Sequence, residues 1–297
     1  MFIDLHTHTT ASDGTLTPTQ LVELARQNDL KAIAVTDHDT IDGVAEAQRA
    51  GERLGVEVVP GIEISGIWPS GTLHILGYLV DIGSPALTAT LKTFRGARDD
   101  RNPKILAKLN ALGMPLDMEE VRARAGGSVV GRPHIAQAMI ARGYVKTVRE
   151  AFDKYLGDNG AAFVDKELVP PADAIAMIHE AGGLAVLAHP RWLKWQDERE
   201  LDWFVMKLKH DGIDGIECYH SDHDRSDEEM YERFARRYDL LITGGSDFHG
   251  HAKVDIHLGR GRGSLRVPYE VLERLKAEKR RRAEKERAKA AASPAAD

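Results

Sequence analysis

Phe2-Ile3-Asp4-Leu5-His6-Thr7-His8 opens the chain with a short apolar run that ends in two histidines. The run reads as a strand. Residues two apart in a strand share a face, so His6 and His8 can reach one point in space. The pattern recurs along the sequence. Ala32-Ile33-Ala34-Val35 leads into Thr36-Asp37-His38, and Val56-Glu57-Val58-Val59 into Gly61-Ile62-Glu63. Leu184-Ala185-Val186-Leu187 leads into Ala188-His189-Pro190, and Gly215-Ile216-Glu217-Cys218 into His220. Leu240-Leu241-Ile242-Thr243 leads into Ser246-Asp247-Phe248-His249, and Leu73-His74 belongs to an apolar strand running to Val80. Strands that present His, Asp or Glu at their C-terminal ends are how a barrel gathers a multi-metal site from distant parts of the chain.

Helical stretches alternate with these runs. Thr17 and Pro18 mark the start of a helix to Gln27, and a second is expected over Ile41 to Leu54. The βαβα order implies parallel strands with helices outside. From 85 to 171 the period becomes helical (Ile105, Leu106, Leu109, Leu112; then Ile135, Met139, Ile140), punctuated by Gly113, Gly126-Gly127, Gly143 and Gly157. After a helix near Ala172 to Ala181 the β/α pattern returns. The expected organisation is an α/β barrel in two parts, 1–84 and 172–275. An α-helical insertion at 85–171 is expected to cover the substrate. A charged tail at 276–297 is expected to fray.

Composition sets limits. The 297 residues are 42% hydrophobic and 29% charged, ordinary for a globular protein. No apolar run approaches the roughly 20 residues of a membrane span. A cleaved leader is not expected, because the chain enters a strand at once. Cys218 is the only cysteine, so no internal disulfide forms, which fits a cytoplasmic location. Net charge is −6, yet residues 270–289 hold nine Lys/Arg against five Glu. The remainder is acidic and a poor grip for long nucleic acid, so no stable DNA binding is expected. The basic tail keeps short RNA open as a partner.

Taken singly, the candidate ligands have plain readings. Glu63 reads as a surface carboxylate after a turn, His74 as a packed histidine, and Asp13-Gly14 as a turn. Together, clustered His and Asp without an ion would be costly to bury. The set suits Zn, Mn or Fe. The order His6-x-His8, Asp13, Thr36-Asp37-His38, Gly61-x-Glu63, His74, Ala188-His189-Pro190 and Ser246-Asp247-x-His249 resembles the polymerase-and-histidinol-phosphatase (PHP) superfamily over nearly the whole chain. The resemblance implies a distorted (β/α)7 barrel with two or three divalent ions, manganese first and zinc or iron as alternatives. It puts His6, His8, Glu63 and Asp247 on a first ion. Glu63 bridges to a second, held by His74 and His189. Asp13, His38 and His249 hold a third; some relatives carry His where this chain has Asp13. The nucleophile is then a metal-bridged hydroxide, with Asp247 anchoring metal and orienting it.

Within the insertion, Gly131-Arg132-Pro133-His134 resembles a segment of stand-alone PHP phosphoesterases similar to nucleoside 3′,5′-bisphosphate phosphatases and a 5′-to-3′ exoribonuclease. Arg132 sits at a helix start, where guanidinium and helix N-terminus can both face an anion. Arg132, His134 and Arg191 are the candidate substrate-binding residues, and His134 or His220 the candidate acid. Trp68, Tyr78 and Tyr219 could stack on a base, although packing is the simpler reading of each. His179, His210, His223, His251 and His257 are assigned to surface or structure. The expected function is hydrolysis of phosphate esters of nucleotides, as a bisphosphate phosphatase or in trimming short RNA from its 5′ end. Histidinol phosphate phosphatase is the alternative. A non-catalytic PHP module is a further one, disfavoured by the full ligand set.

Overall fold

The computed structural model describes residues 1–125, 130–157, 159–164 and 168–292. Gly126-Gly127 and the last residues of the tail lie outside these. The barrel begins with β1 (Phe2–Asp4), α1 (Pro18–Gln27), β2 (Leu30–Val35), α2 (Val44–Leu54), β3 (Glu57–Gly66) and β4 (Leu73–Tyr78). The insertion contributes α3 (Pro85–Ala111), α4 (Met118–Arg122), α5 (Arg132–Ala141) and α6 (Val148–Ala151), the last running into a π turn at Phe152–Leu156. The barrel resumes with α7 (Pro171–Glu180), β5 (Leu184–Leu187), α8 (Glu198–His210), β6 (Gly215–His220), α9 (Arg225–Arg237) and β7 (Leu241–Gly245). A two-residue β8 (Val267–Pro268) and α10 (Glu270–Ala292) close the chain.

Local chemistry sets these boundaries. Thr17 caps α1, its hydroxyl accepting from the Gln20 amide while the Gln20 side chain accepts from the Thr17 amide. Asp224 caps α9 in the same way. Gly55 ends α2 in the left-handed region at φ 71°.

The strand order is β7-β6-β5-β4-β3-β2-β1-β8. The seam between β1 and β7 nearly closes the sheet. There the Leu5 amide donates to the Gly244 carbonyl at 3.3 Å, and the Asp247 amide to the His6 carbonyl at 2.9 Å. Gly245 is required at this seam, because a Cβ there would stand 2.3 Å from the His6 nitrogen. The buried Asp4 carboxylate pins the same seam, accepting from the Ser246 amide and hydroxyl and from the Gly259 amide.

Two expectations about the strands are corrected. β4 runs antiparallel to both β3 and β5. His74 therefore stands near the start of its strand, yet at the same mouth where the parallel strands end. The short Ile67–Thr72 return after β3 forces this reversal. Glu63 does not follow its strand; it lies inside the ten-residue β3 and pairs opposite Leu76.

The insertion packs on a core of its own, including Ile105, Leu109, Ile135, Met139 and Leu156. The barrel is filled by separate clusters, one around Ile3, Ala34, Leu76 and Val186. Among the described residues the chain stays helical past Lys276. Helix α10 continues to Ala292, with Leu272 and Leu275 buried. Lys276 pairs with Glu57 at 2.5 Å, Lys279 donates to the Leu79 carbonyl, and Arg282 pairs with buried Asp214. Glu57 begins β3 and Asp214 precedes β6, so the basic helix docks at the end of the barrel opposite the mouth. Its docking residues recur every three positions, a stripe of cations that an apolar-periodicity reading passes over. Among the described residues no helix is long and apolar enough to cross a membrane.

Candidate metal centre

Glu63 is the hub. Its carboxylate is buried, and its two oxygens face different histidines. Oε2 lies 3.4 Å from His6 Nε2, 3.2 Å from His8 Nε2 and 3.0 Å from His38 Nδ1. Oε1 lies 2.7 Å from His74 Nδ1 and 3.0 Å from His189 Nε2. Asp247 turns Oδ1 to the same side as Glu63 Oε2, at 3.2 Å from His8 Nε2 and 3.6 Å from His6 Nε2. Asp13 stands 3.3 Å from His249 Nε2 and 3.9 Å from His38 Nε2. The structure thus brings together all nine residues expected to hold metal. They fall into overlapping groups: His6, His8 and Asp247; Glu63 with His6 and His189, and with His38 and His74; and Asp13 with His8, His38 and His249.

These groups fit divalent ions. His6 Nε2, both His8 ring nitrogens, His38 Nδ1 and Glu63 Oε2 are buried without a hydrogen bond. Leaving so many polar atoms unsatisfied is costly unless a cation takes their lone pairs. Backbone strain marks the same place. His189 has φ 23° and Asp247 φ 55°, a region non-glycine residues seldom occupy and which clusters at functional sites.

The charge states suit ligation. Burial alone would raise Glu63, but His74, His38 and His6 outweigh it and hold the carboxyl well below its usual range. Asp247 is likewise held down against burial by Lys253, His249 and His6, and Asp13 by His249 and His38. Burial pushes His74 and His249 down to about 4, so both rings are neutral at physiological pH. His8 moves the other way. Its contacts with Asp247 and Glu63 overcome burial and raise it to about 9, so an ion bound there displaces a proton.

Sequence reasoning passed over several residues. Glu217, buried in β6, accepts at Oε1 from His6 Nδ1 at 3.0 Å and at Oε2 from the His189 amide at 2.8 Å. That bond leaves His6 Nε2 with its lone pair aimed at Glu63 and Asp247, the familiar support of a metal-ligating histidine. The available signal was a lone Glu inside an otherwise apolar strand. Lys253 places its ammonium 2.5 Å from Asp247 Oδ2 and 5.0 Å from the centre of the Trp192 ring. Arg101, in α3, is buried and borders the cavity over the cluster.

That cavity has a volume of about 360 Å³. Glu63, Asp247 and His249 form one wall, and Arg101, Arg132 and Phe152 of the insertion form the other. An anion held here meets the ligand cluster on one side and guanidinium groups on the other. Arg132 is oriented by a 2.9 Å bond from Nη1 to the Leu156 carbonyl and lies over the rings of Phe152 and Phe163.

Other expected substrate residues are placed differently. His134 is buried, and its Nδ1 accepts from the Gly131 amide, closing the N-terminus of its own helix. Arg191 is clamped by Asp224 and Asp227 at the start of α9 and faces a neighbouring cleft. His220 stays at the cluster. Its Nδ1 accepts from the Asp222 amide at 3.1 Å, which leaves the ring proton on Nε2, 3.7 Å from Asp247 Oδ2. Tyr78 is fully buried in the core. Trp68 donates to the Leu193 carbonyl and Tyr219 to Glu232, so the packing reading holds for all three aromatics. His179 pairs with Asp214, and His223 Nδ1 with the Cys218 carbonyl, both structural.

Comparison with known proteins agrees with this geometry. The PHP domain model matches residues 4–276. A 5′-3′ exoribonuclease of Haemophilus influenzae is 38% identical over 250 residues, covering 83% of this chain and 89% of that protein. A 3′,5′-nucleoside bisphosphate phosphatase of Chromobacterium violaceum is 35% identical over 249 residues, covering 83% and 87%. The crystal structure of a protein of Bifidobacterium adolescentis, described as a metal-dependent phosphoesterase, superposes with a TM-score of 0.82 at 31% identity, covering 92% of this chain and 94% of that one.

Proposed function

The chain belongs to the PHP family and is a metal-dependent phosphoesterase, and from that premise we propose that its substrates are phosphorylated nucleotides: nucleoside 3′,5′-bisphosphates, short 5′-phosphorylated RNA, or both. The observation that carries this reading is the cavity over Glu63, with a metal-ligating wall facing the Arg101 and Arg132 wall. The relatives named for nucleotide and RNA substrates support it over histidinol phosphate.

His6, His8, Glu63 and Asp247 would hold one ion, Glu63, His74 and His189 a second, and Asp13, His38 and His249 a third. His and carboxylate donors suit manganese, zinc or iron, and the family resemblance puts manganese first. Bound divalent ions supply Lewis-acid activation of water and neutralise phosphate charge. The remaining work falls to the chain itself. Arg101 and Arg132 bind and orient the phosphate group from the insertion side. Asp247 divides its oxygens, Oδ1 toward the ligand cluster and Oδ2 toward Lys253 and His220. His220, whose Nδ1 accepts from the Asp222 amide and leaves the proton on Nε2, is the candidate donor to a departing oxygen. His134 is the weaker candidate for that role, because its Nδ1 is engaged in capping α5.

The test is inorganic phosphate release by manganese-loaded protein from 3′,5′-bisphosphoadenosine, with histidinol phosphate alongside. Turnover of the bisphosphate with little from histidinol phosphate is expected. Release from histidinol phosphate alone would overturn the nucleotide reading and with it the substrate role of Arg132.

A further inference from the structure

Beside the cavity over Glu63 lies a second, wider cleft of about 680 Å³. Trp192 and Thr72 border both, so the two adjoin along one indole. The indole is a wall rather than a stacking platform. One side packs against His189, with ring centres 4.2 Å apart, and the Lys253 ammonium also lies over the ring. Its Nε1 donates to Asp222 Oδ2 at 3.1 Å. The other oxygen of Asp222 accepts from Arg262 Nε and Nη2 at 3.1 and 2.7 Å. Wall and cation are therefore fixed as one unit.

On the cleft's other flank Arg191 is held by Asp224 and Asp227. Lys194 is exposed in a left-handed conformation, φ 52°, with no ion-pair partner among the described residues. Three cations thus border the cleft against Asp222 and Asp224, and Lys194 is the one whose charge is not already matched. The volume lies within the roughly 300–1,000 Å³ typical of small-molecule sites. With both arginines held in place and the indole engaged by His189 and Lys253, the free charge of Lys194 favours a sugar-phosphate over a base.

We propose that this cleft is a second nucleotide subsite, taking the sugar-phosphate next to the phosphoester being hydrolysed when the substrate is a short RNA. The inference rests on the nucleotide reading of the metal centre given above. A mononucleotide bisphosphate fills the cavity over Glu63 alone. An oligonucleotide continues past Trp192 and places a phosphate near Lys194.

The experiment compares wild-type protein and Lys194→Glu, both manganese-loaded, on 3′,5′-bisphosphoadenosine and on a 5′-phosphorylated tetraribonucleotide. The charge reversal is expected to raise KM for the tetranucleotide about tenfold, the scale of one phosphate contact exchanged for a repulsion. KM for the bisphosphate should shift less than twofold. Lys194→Gln should give an intermediate KM on the tetranucleotide. Equal effects of Lys194→Glu on both substrates, or none on the tetranucleotide, would overturn the subsite and leave the metal centre's reading intact. A wild-type protein that cleaves the bisphosphate but not the tetranucleotide would do the same. A wild type inactive on both would remove the nucleotide reading and the subsite with it.

Discussion

Asp247→Asn is expected to fold normally and to lose turnover by about a thousandfold or more, the scale on which a single preorganised electrostatic contact acts. Asparagine matches aspartate in size and tolerates the left-handed backbone at φ 55°. The strand seam should therefore survive, since it is held by the Asp247 amide and the Asp4 network rather than by the Asp247 side chain. What disappears is the charge that faces His6 and His8 on one side and Lys253 on the other. Circular dichroism and phosphate release on the same preparation check both halves. Turnover near wild type in a variant with normal metal content would remove Asp247 from the catalytic account.

Glu63→Gln is expected to act one step earlier, on ion binding. The Glu63 carboxylate lies within 3.4 Å of ring nitrogens from His6, His8, His38, His74 and His189. Removing its charge strips the shared ligand from two proposed sites at once. Metal affinity should fall by more than the roughly 10- to 100-fold associated with losing a supporting contact around a ligand. Stability should separate this from simple damage. In excess chelator the variant should melt below wild type, because the surrounding histidines favour the charged form of Glu63 in the folded protein. With manganese the wild type should gain stability by mass action, and the variant should gain little. Metal content after dialysis and melting with and without manganese decide the matter. Equal stabilisation of both proteins by manganese would contradict the bridging role.

Much of this site was legible in the sequence because strand ends are legible. An apolar run of four residues with His or Asp a few positions on, as in Leu184–Leu187 before Ala188-His189, marks both the strand and the mouth it points to. The reversal of β4 was not legible, because nothing in Leu73–Tyr78 records direction; the short return from β3 sets it. Glu217 and Lys253 were missed for a related reason. Their roles depend on neighbours 211 and 6 positions away, and their own surroundings carry no motif. Arg132 lines the cavity, whereas Arg191 is drawn off by carboxylates at the start of α9 that only the fold brings near. The docking of the basic helix leaves no apolar signal in the sequence, because its stripe is made of Lys276, Lys279 and Arg282.

The central claim is that the histidine and carboxylate cluster around Glu63 works as a multinuclear hydrolytic centre. It is tested most directly by stripping the protein with chelator, adding manganese in steps, and following bound ions per chain together with phosphate release from 3′,5′-bisphosphoadenosine. The account predicts no turnover in the stripped protein and activity that rises as the second ion binds. Full turnover without metal, or saturation by a single ion with full activity, would contradict it.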